Sequence, residues 1–210
     1  MRPSVKKILN WLTPVAGQFT TKQSSALQAA MEDATKEFID DYWDDLRFPA
    51  GGLNPPGSAR DPAFNDELGL FTFRNNQDNV VGGLAQFPHA WKEGSVIAPH
   101  VHWIQPAAGN VLWQLEYRLL PAVGAEFPSA WTTVTSTDAV SAYPGSGDWV
   151  QITRFPNIDM TGFTISAMVL FRLSRLADNP LDTLESNIDL LEFDIHYQVD
   201  TPGSMQEFIK

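Results

Sequence analysis

Apolar and polar residues alternate without a break over Leu191-Glu192-Phe193-Asp194-Ile195-His196-Tyr197-Gln198-Val199. A period of two over that length marks a β-strand with one face buried and one wet. The same rhythm sets Val111, Trp113, Leu115 and Tyr117 against Gln114, Glu116 and Arg118, and Ile165, Ala167, Val169, Phe171 and Leu173 against Ser166, Arg172 and Ser174. Strand candidates follow at short intervals, at about 68–74, 79–87, 95–105, 111–120, 131–137, 149–155, 164–175 and 188–199, with Gly, Pro and Asn turns between them. Eight such strands predict a mainly β protein, a β-sandwich, with an antiparallel jelly roll as first choice. No helical period of useful length separates them, which argues against a doubly wound α/β sheet.

Ahead of the strands the pattern changes. Val5, Ile8, Leu9, Trp11 and Leu12 make a short amphipathic stretch that Pro14 and Gly17 break, as expected of an arm. Ser25 with Gln28 forms a capping box, and Leu27, Met31, Ala34 and Phe38 then recur at spacings of four, three and four. A helix from about Ser25 to Trp43 follows. Its narrow apolar stripe, opposite Glu32, Asp33, Lys36, Glu37, Asp40 and Asp41, suits packing on the sheet or self-association around a symmetry axis. Leu27, Met31, Phe38 and Trp43 are therefore candidate contact residues. Phe48 to Gly57 holds three prolines and three glycines in ten residues, a composition of turns and extended chain. The expected organisation is an arm and helix over 1–46, a Pro/Gly-rich connecting segment over 47–66 and a β-sandwich body over 67–210.

Composition narrows the function classes. A 43% hydrophobic chain of 210 residues can bury a substantial core. The net charge of −11 opposes nucleic-acid binding, which needs clustered Lys and Arg to displace counterions. With no cysteine there is neither a disulfide framework nor a thiolate metal site, so stability has to come from packing or assembly. There is no run of 18 apolar residues, and Met1 to Leu12 lacks the apolar core and cleavage site of a signal peptide. No membrane partner and folding in the cytoplasm are expected.

Chemistry is sparse. His100 and His102 are two apart on a predicted strand, so both imidazoles share a face and can share a metal. Cupins begin their metal site with such a pair and add a Glu shortly after, but here Ile104, Gln105, Pro106 and Ala107 follow. A third donor would have to come from another strand, with His196, Asp194, Glu192 or Glu116 as candidates. The expectation is no cofactor and no metal, the histidines being satisfied polar residues. Pro144-Gly145-Ser146-Gly147-Asp148 is a turn, not a nucleophile elbow. Asp40-Asp41, Asp44-Asp45 and Glu192-x-Asp194 are acid pairs more typical of a wet face than of a glycosidase. Gly51-Gly52 and Gly82-Gly83 lack the lysine and hydroxyl of a phosphate loop. Trp103 and Trp113 fall in phase with apolar neighbours and read as core; Trp91 and Trp131, near turns, read as contact residues.

Five stretches in fixed order carry a resemblance: Trp43-Asp44-Asp45-Leu46-Arg47-Phe48-Pro49, Gln86 to Ser95, Pro99-His100-Val101-His102-Trp103, Trp113-Gln114-Leu115-Glu116-Tyr117, and Leu191 to Gln198. Over about residues 43–210 the chain resembles a group of proteins encoded in tailed-bacteriophage genomes. The resemblance implies a virion structural role without enzymatic activity. Tailed phages use trimeric β-sandwich proteins as head decoration, so it further implies a homotrimer that cements major capsid protein subunits on the outer capsid surface, assembled in the host cytoplasm. An alternative is a tail or fibre protein binding host glycan or another tail component, with Trp91, Trp131, Tyr143 and Trp149 as stacking platforms. A cupin-like metal enzyme using His100 and His102 is the remote alternative.

Overall fold

The computed structural model describes residues 42–124, 126–136 and 143–209, together with Ser25 and Ala29. Ser25 and Ala29 are helical and exposed. The candidate contact residues Leu27, Met31 and Phe38, and the arm over 1–24, lie outside the described residues. The chain divides into two compact units between Tyr42 and Trp43. All that follows concerns the second.

Its ten strands are β1 (Tyr42–Pro49), β2 (Ala63–Asn65), β3 (Leu70–Phe73), β4 (Asn79–Gln86), β5 (Ile97–Gln105), β6 (Trp113–Leu120), β7 (Thr132–Thr135), β8 (Trp149–Arg154), β9 (Met168–Arg175) and β10 (Ile188–Val199). They form a six-stranded sheet, in the order β2-β3-β10-β5-β8 with β1 also paired to β10, and a four-stranded sheet in the order β4-β9-β6-β7. The pairings β3·β10, β4·β9, β5·β8 and β6·β7 are all antiparallel, so first meets last and each strand inward meets its counterpart. That is one long hairpin of strand pairs. Wound around itself, it is closed by the further pairings β10·β5 and β9·β6. This is the jelly roll that the eight strand candidates predict.

The alternation decides what fills the space between the sheets. Val101 and Trp103 from β5, Phe193, Ile195 and Tyr197 from β10, and Val169, Phe171 and Leu173 from β9 are all buried. Aromatic rings dominate: Phe171 lies 4.6 Å from Phe193, and Phe73 and Trp103 lie 5.3 and 6.4 Å from Trp113, centroid to centroid. Each such ring contributes about 1.5–3 kcal/mol by leaving water. Some of the buried polar atoms of this core are paired across strands: Trp103 Nε1 donates to Thr153 Oγ1, and Gln151 Nε2 donates to Gln105 Oε1.

Two parts of the sequence pattern resolve differently. Trp43 to Pro49, expected as a helix end and the start of a connector, is strand β1, and Leu46 and Phe48 pack against the core. Phe48 stacks 4.7 Å from Phe171 and 5.7 Å from Phe193. The Pro/Gly-rich stretch belongs to the body: a 3-10 turn at Ala50–Gly52 is buried at Ala50, and Asn54 bridges to Gly82. Second, β9 begins at Met168 and not near 164, because Ser166 has φ of 64°, the one non-glycine residue in the left-handed region among those described.

That bend has a use. Ser166 Oγ accepts from Gln86 Nε2, lies 3.0 Å from His89 Nε2 and donates to the Glu207 carbonyl, while His89 Nδ1 lies 2.9 Å from the Ser204 carbonyl. Ser166 and His89 thus clasp residues 204–207 to the β4–β9 end of the sandwich. Ser166→Ala removes the hub of this clasp. It is expected to raise the rate of limited proteolysis within residues 200–209 several-fold, with the midpoint of global unfolding shifted by only about 1 kcal/mol. Mass spectrometry of early cleavage products checks both halves.

A histidine–aspartate cluster on the outer sheet face

Because side chains alternate across a strand, sending Val101 and Trp103 inward turns His100 and His102 outward. On β10 the same rule turns Glu192, Asp194 and His196 outward. The pairing register then sets Asp194 opposite His100, Glu192 opposite His102 and His196 opposite Ala98. A register shift between Leu190 and Glu192 marks the irregularity that ends this run. Strand β1, on the other side of β10, contributes Asp45 and Arg47.

The result is tight. Asp194 Oδ2 lies 3.3 Å from His102 Nε2 and 3.6 Å from His100 Nε2. The donor atoms of His100, His102 and Asp194 all fall within 4.8 Å of one another. The imidazoles of His100 and His196 are 4.4 Å apart. Around them Arg47 grips Glu192 with two hydrogen bonds of 2.7 and 2.6 Å, and His196 Nε2 pairs with Asp45 Oδ1 at 2.8 Å. These contacts floor an open groove of about 690 Å³, also lined by Ile152, Arg154 and Phe155.

Although this is the polar face, His100 and Asp194 are 6% and 4% exposed, as deep as core residues. Burial sets their protonation. It holds the His100 imidazole neutral, with its pKa lowered to about 4, and the neighbouring His196 and His102 rings add to that. His102 is lowered for the same primary reason. Asp194 is pushed up to about 8, by burial first and then by sharing a face with Glu192. Glu192 moves the other way, because the Arg47 guanidinium is bonded to it. The cluster at neutral pH is thus two neutral imidazoles beside a carboxyl that burial discourages from ionising. Its Oδ1 atom is buried without a hydrogen-bond partner.

Chemically, neutral imidazoles with convergent nitrogens are ligands in waiting, and a lone carboxyl beside them supplies the oxygen donor that the His100-x-His102 segment lacks. Of the sequence candidates, His100 and His102 converge and Asp194 joins them. His196 is turned to Asp45 and does not belong to the ligand set. Glu116 pairs with Arg172 on the other sheet, at 2.7 Å. The pair faces away from the interior of the jelly roll, whose β5 positions are Val101 and Trp103, so a metal site inside the barrel, as the cupin comparison would have it, is not built from these histidines.

The aromatic candidates scatter. Trp91, expected at a contact surface, is fully buried, tilted against Phe87 at 5.0 Å with its indole N–H donated to Ser95 Oγ. Its turn position concealed that the turn folds back onto the core. Trp131 is half-buried with the Arg118 and Arg172 guanidinium groups 4.4 and 4.2 Å from its ring centre, which leaves little face for a sugar. Tyr143 donates its hydroxyl hydrogen bonds to the Pro106 and Gly147 carbonyls. Trp43 and Trp149 are exposed.

The molecule is thus defined as a jelly roll bearing a polar, metal-competent cluster on the outer face of its larger sheet. No protein-family model matches the chain, and none of the curated proteins matches it in sequence.

Proposed function

We propose that this protein is a non-enzymatic structural component of a tailed-phage virion, a trimeric capsid decoration protein that bridges major capsid protein subunits. The reading rests on the resemblance of the five sequence stretches, three of which lie side by side as β1, β10 and β5. The observation that best supports an assembling role is strand β8. Among the described residues it is an edge of the six-stranded sheet, and it exposes Trp149, Val150 and Ile152 at 47%, 64% and 54%. An edge strand with unpaired backbone groups and large apolar side chains is a template for another chain, which proteins that stay apart usually blunt with charge.

The test is assembly itself. Light scattering of the purified protein should give the mass of a trimer, and the protein should sediment with heads that lack it and raise their resistance to heat. The double substitution Val150→Lys and Ile152→Lys puts two charges on the exposed face of β8. It should weaken self-association or head binding at least tenfold while changing the unfolding midpoint of the subunit by no more than about 0.5 kcal/mol, as for other exposed sites. A monomer that ignores heads would sink this reading; sedimentation with tails instead would move the protein to the tail.

A further inference from the structure

We infer that His100, His102 and Asp194 form a mononuclear site for a divalent transition metal of the Zn²⁺ class on the outer face of the six-stranded sheet. The argument for it does not draw on the virion reading.

Geometry comes first. Ligands about 2.0–2.1 Å from a tetrahedral zinc lie about 3.3 Å from each other. Asp194 Oδ2 lies 3.3 and 3.6 Å from the histidine Nε2 atoms, at that value and a little above it, and the three donor atoms all fall within 4.8 Å of one another. The ligands come from adjacent strands locked by register, with Asp194 directly opposite His100.

The second argument is an unmet need. Asp194 Oδ1 is buried and finds no donor, and at 3.6 Å the contact to His100 is too long to be a hydrogen bond. A polar oxygen so deeply placed is costly without a partner. Of the basic side chains around it, Arg47 is held by Glu192 and His196 faces Asp45. A metal engaged by both oxygens of the Asp194 carboxylate supplies Oδ1 with the missing partner.

Donor chemistry selects the ion. Two imidazole nitrogens and one carboxylate oxygen suit Zn²⁺, Co²⁺ or Ni²⁺, whereas Mg²⁺ and Ca²⁺ prefer oxygen alone. Three protein ligands leave a coordination position open, directed into the groove, where water or a donor atom from another molecule can sit.

The experiment uses the full chain without a histidine tag, stripped with chelator and titrated with Co²⁺. The expected result is one equivalent bound, with the visible absorption of a cobalt site having nitrogen and oxygen ligands, displaced by Zn²⁺, and a rise in thermal midpoint with Zn²⁺. His102→Ala, at a half-exposed position that the fold tolerates, should weaken binding at least tenfold, and Asp194→Asn should abolish it while leaving the metal-free protein at least as heat-stable. His196→Ala should bind as the native chain does. Absence of the cobalt spectrum in the native chain, binding retained in both His102→Ala and Asp194→Asn, or an equal loss in His196→Ala would overturn the assignment.

Discussion

Asp182→Ala is expected to lower the free energy of unfolding by about 3–5 kcal/mol, the usual result of stranding one partner of a buried ion pair. Arg175 occupies the inward position that follows Leu173 on β9 and is fully buried. Its guanidinium binds Asp182 through Nη2 at 2.8 Å and Nε at 3.0 Å, and donates to the carbonyls of Ser186 and Leu184. Asp182 also accepts the backbone N–H of Leu112 at 3.1 Å. One carboxylate therefore ties the loop between β9 and β10 to the start of β6 while neutralising a charge inside the protein. Removing it leaves guanidinium N–H groups buried without partners. Urea unfolding of the variant measures the loss. The double variant Arg175→Met with Asp182→Leu should recover most of it, since well-packed apolar residues replace buried pairs at little cost. A loss below about 1 kcal/mol for Asp182→Ala would mean that water reaches Arg175.

Phe193→Ala should cost about 3–5 kcal/mol as well, for a different reason: an aromatic ring leaves a cavity that its neighbours cannot fill. Phe193 is fully buried where Phe48, Phe155 and Phe171 meet, at 5.7, 6.5 and 4.6 Å. It sits on the strand whose opposite face carries Glu192 and Asp194. The effect should therefore be local as well as global. Phe48 loses one of the two rings it packs on, so β1 is held less firmly, and amide exchange of residues 44–49 should speed up more than that of β6. Phe193→Leu, which keeps most of the volume, should lose roughly 1–1.5 kcal/mol and leave β1 protected. Equal exchange changes across both sheets would show that β1 does not depend on this ring.

The eight strands of the jelly roll were legible because three of them carry a clean period of two and turn residues bound the others, and both are local properties. Strand β1 was not. Its inward pair, Leu46 and Phe48, spans barely one repeat, Asp44 and Asp45 disfavour a strand, and what makes it one is β10, with Arg47 reaching Glu192 across 145 positions of sequence. Strand β2, only three residues long, offers no repeat at all. The cluster was half legible. Spacing placed His100 and His102 on one face, and the alternation of β10 placed Asp194 on an outward face, but only the β5–β10 register says that these are the same place. Nor does the pattern report depth. Asp194 and His100 stand at polar positions of their strands and are nonetheless buried. For Trp91 the error ran the same way, since proximity to a turn says nothing about which side of the turn faces the core.

The winding of the chain also dictates an order of events during synthesis. Strand β10, which follows the other nine described strands in the chain, occupies the middle of the larger sheet, between β5 and the β1 and β3 side. Until it emerges, β3 and β5 have no common neighbour, and apolar rows meant for the interior stand open to other nascent chains, a window in which a chaperone would be needed. The arrival of that one strand completes the sheet and, in the same movement, delivers Asp194 to histidines made more than ninety residues earlier. A metal held there would be a seal accepted only once β10 has been made and correctly registered against β5.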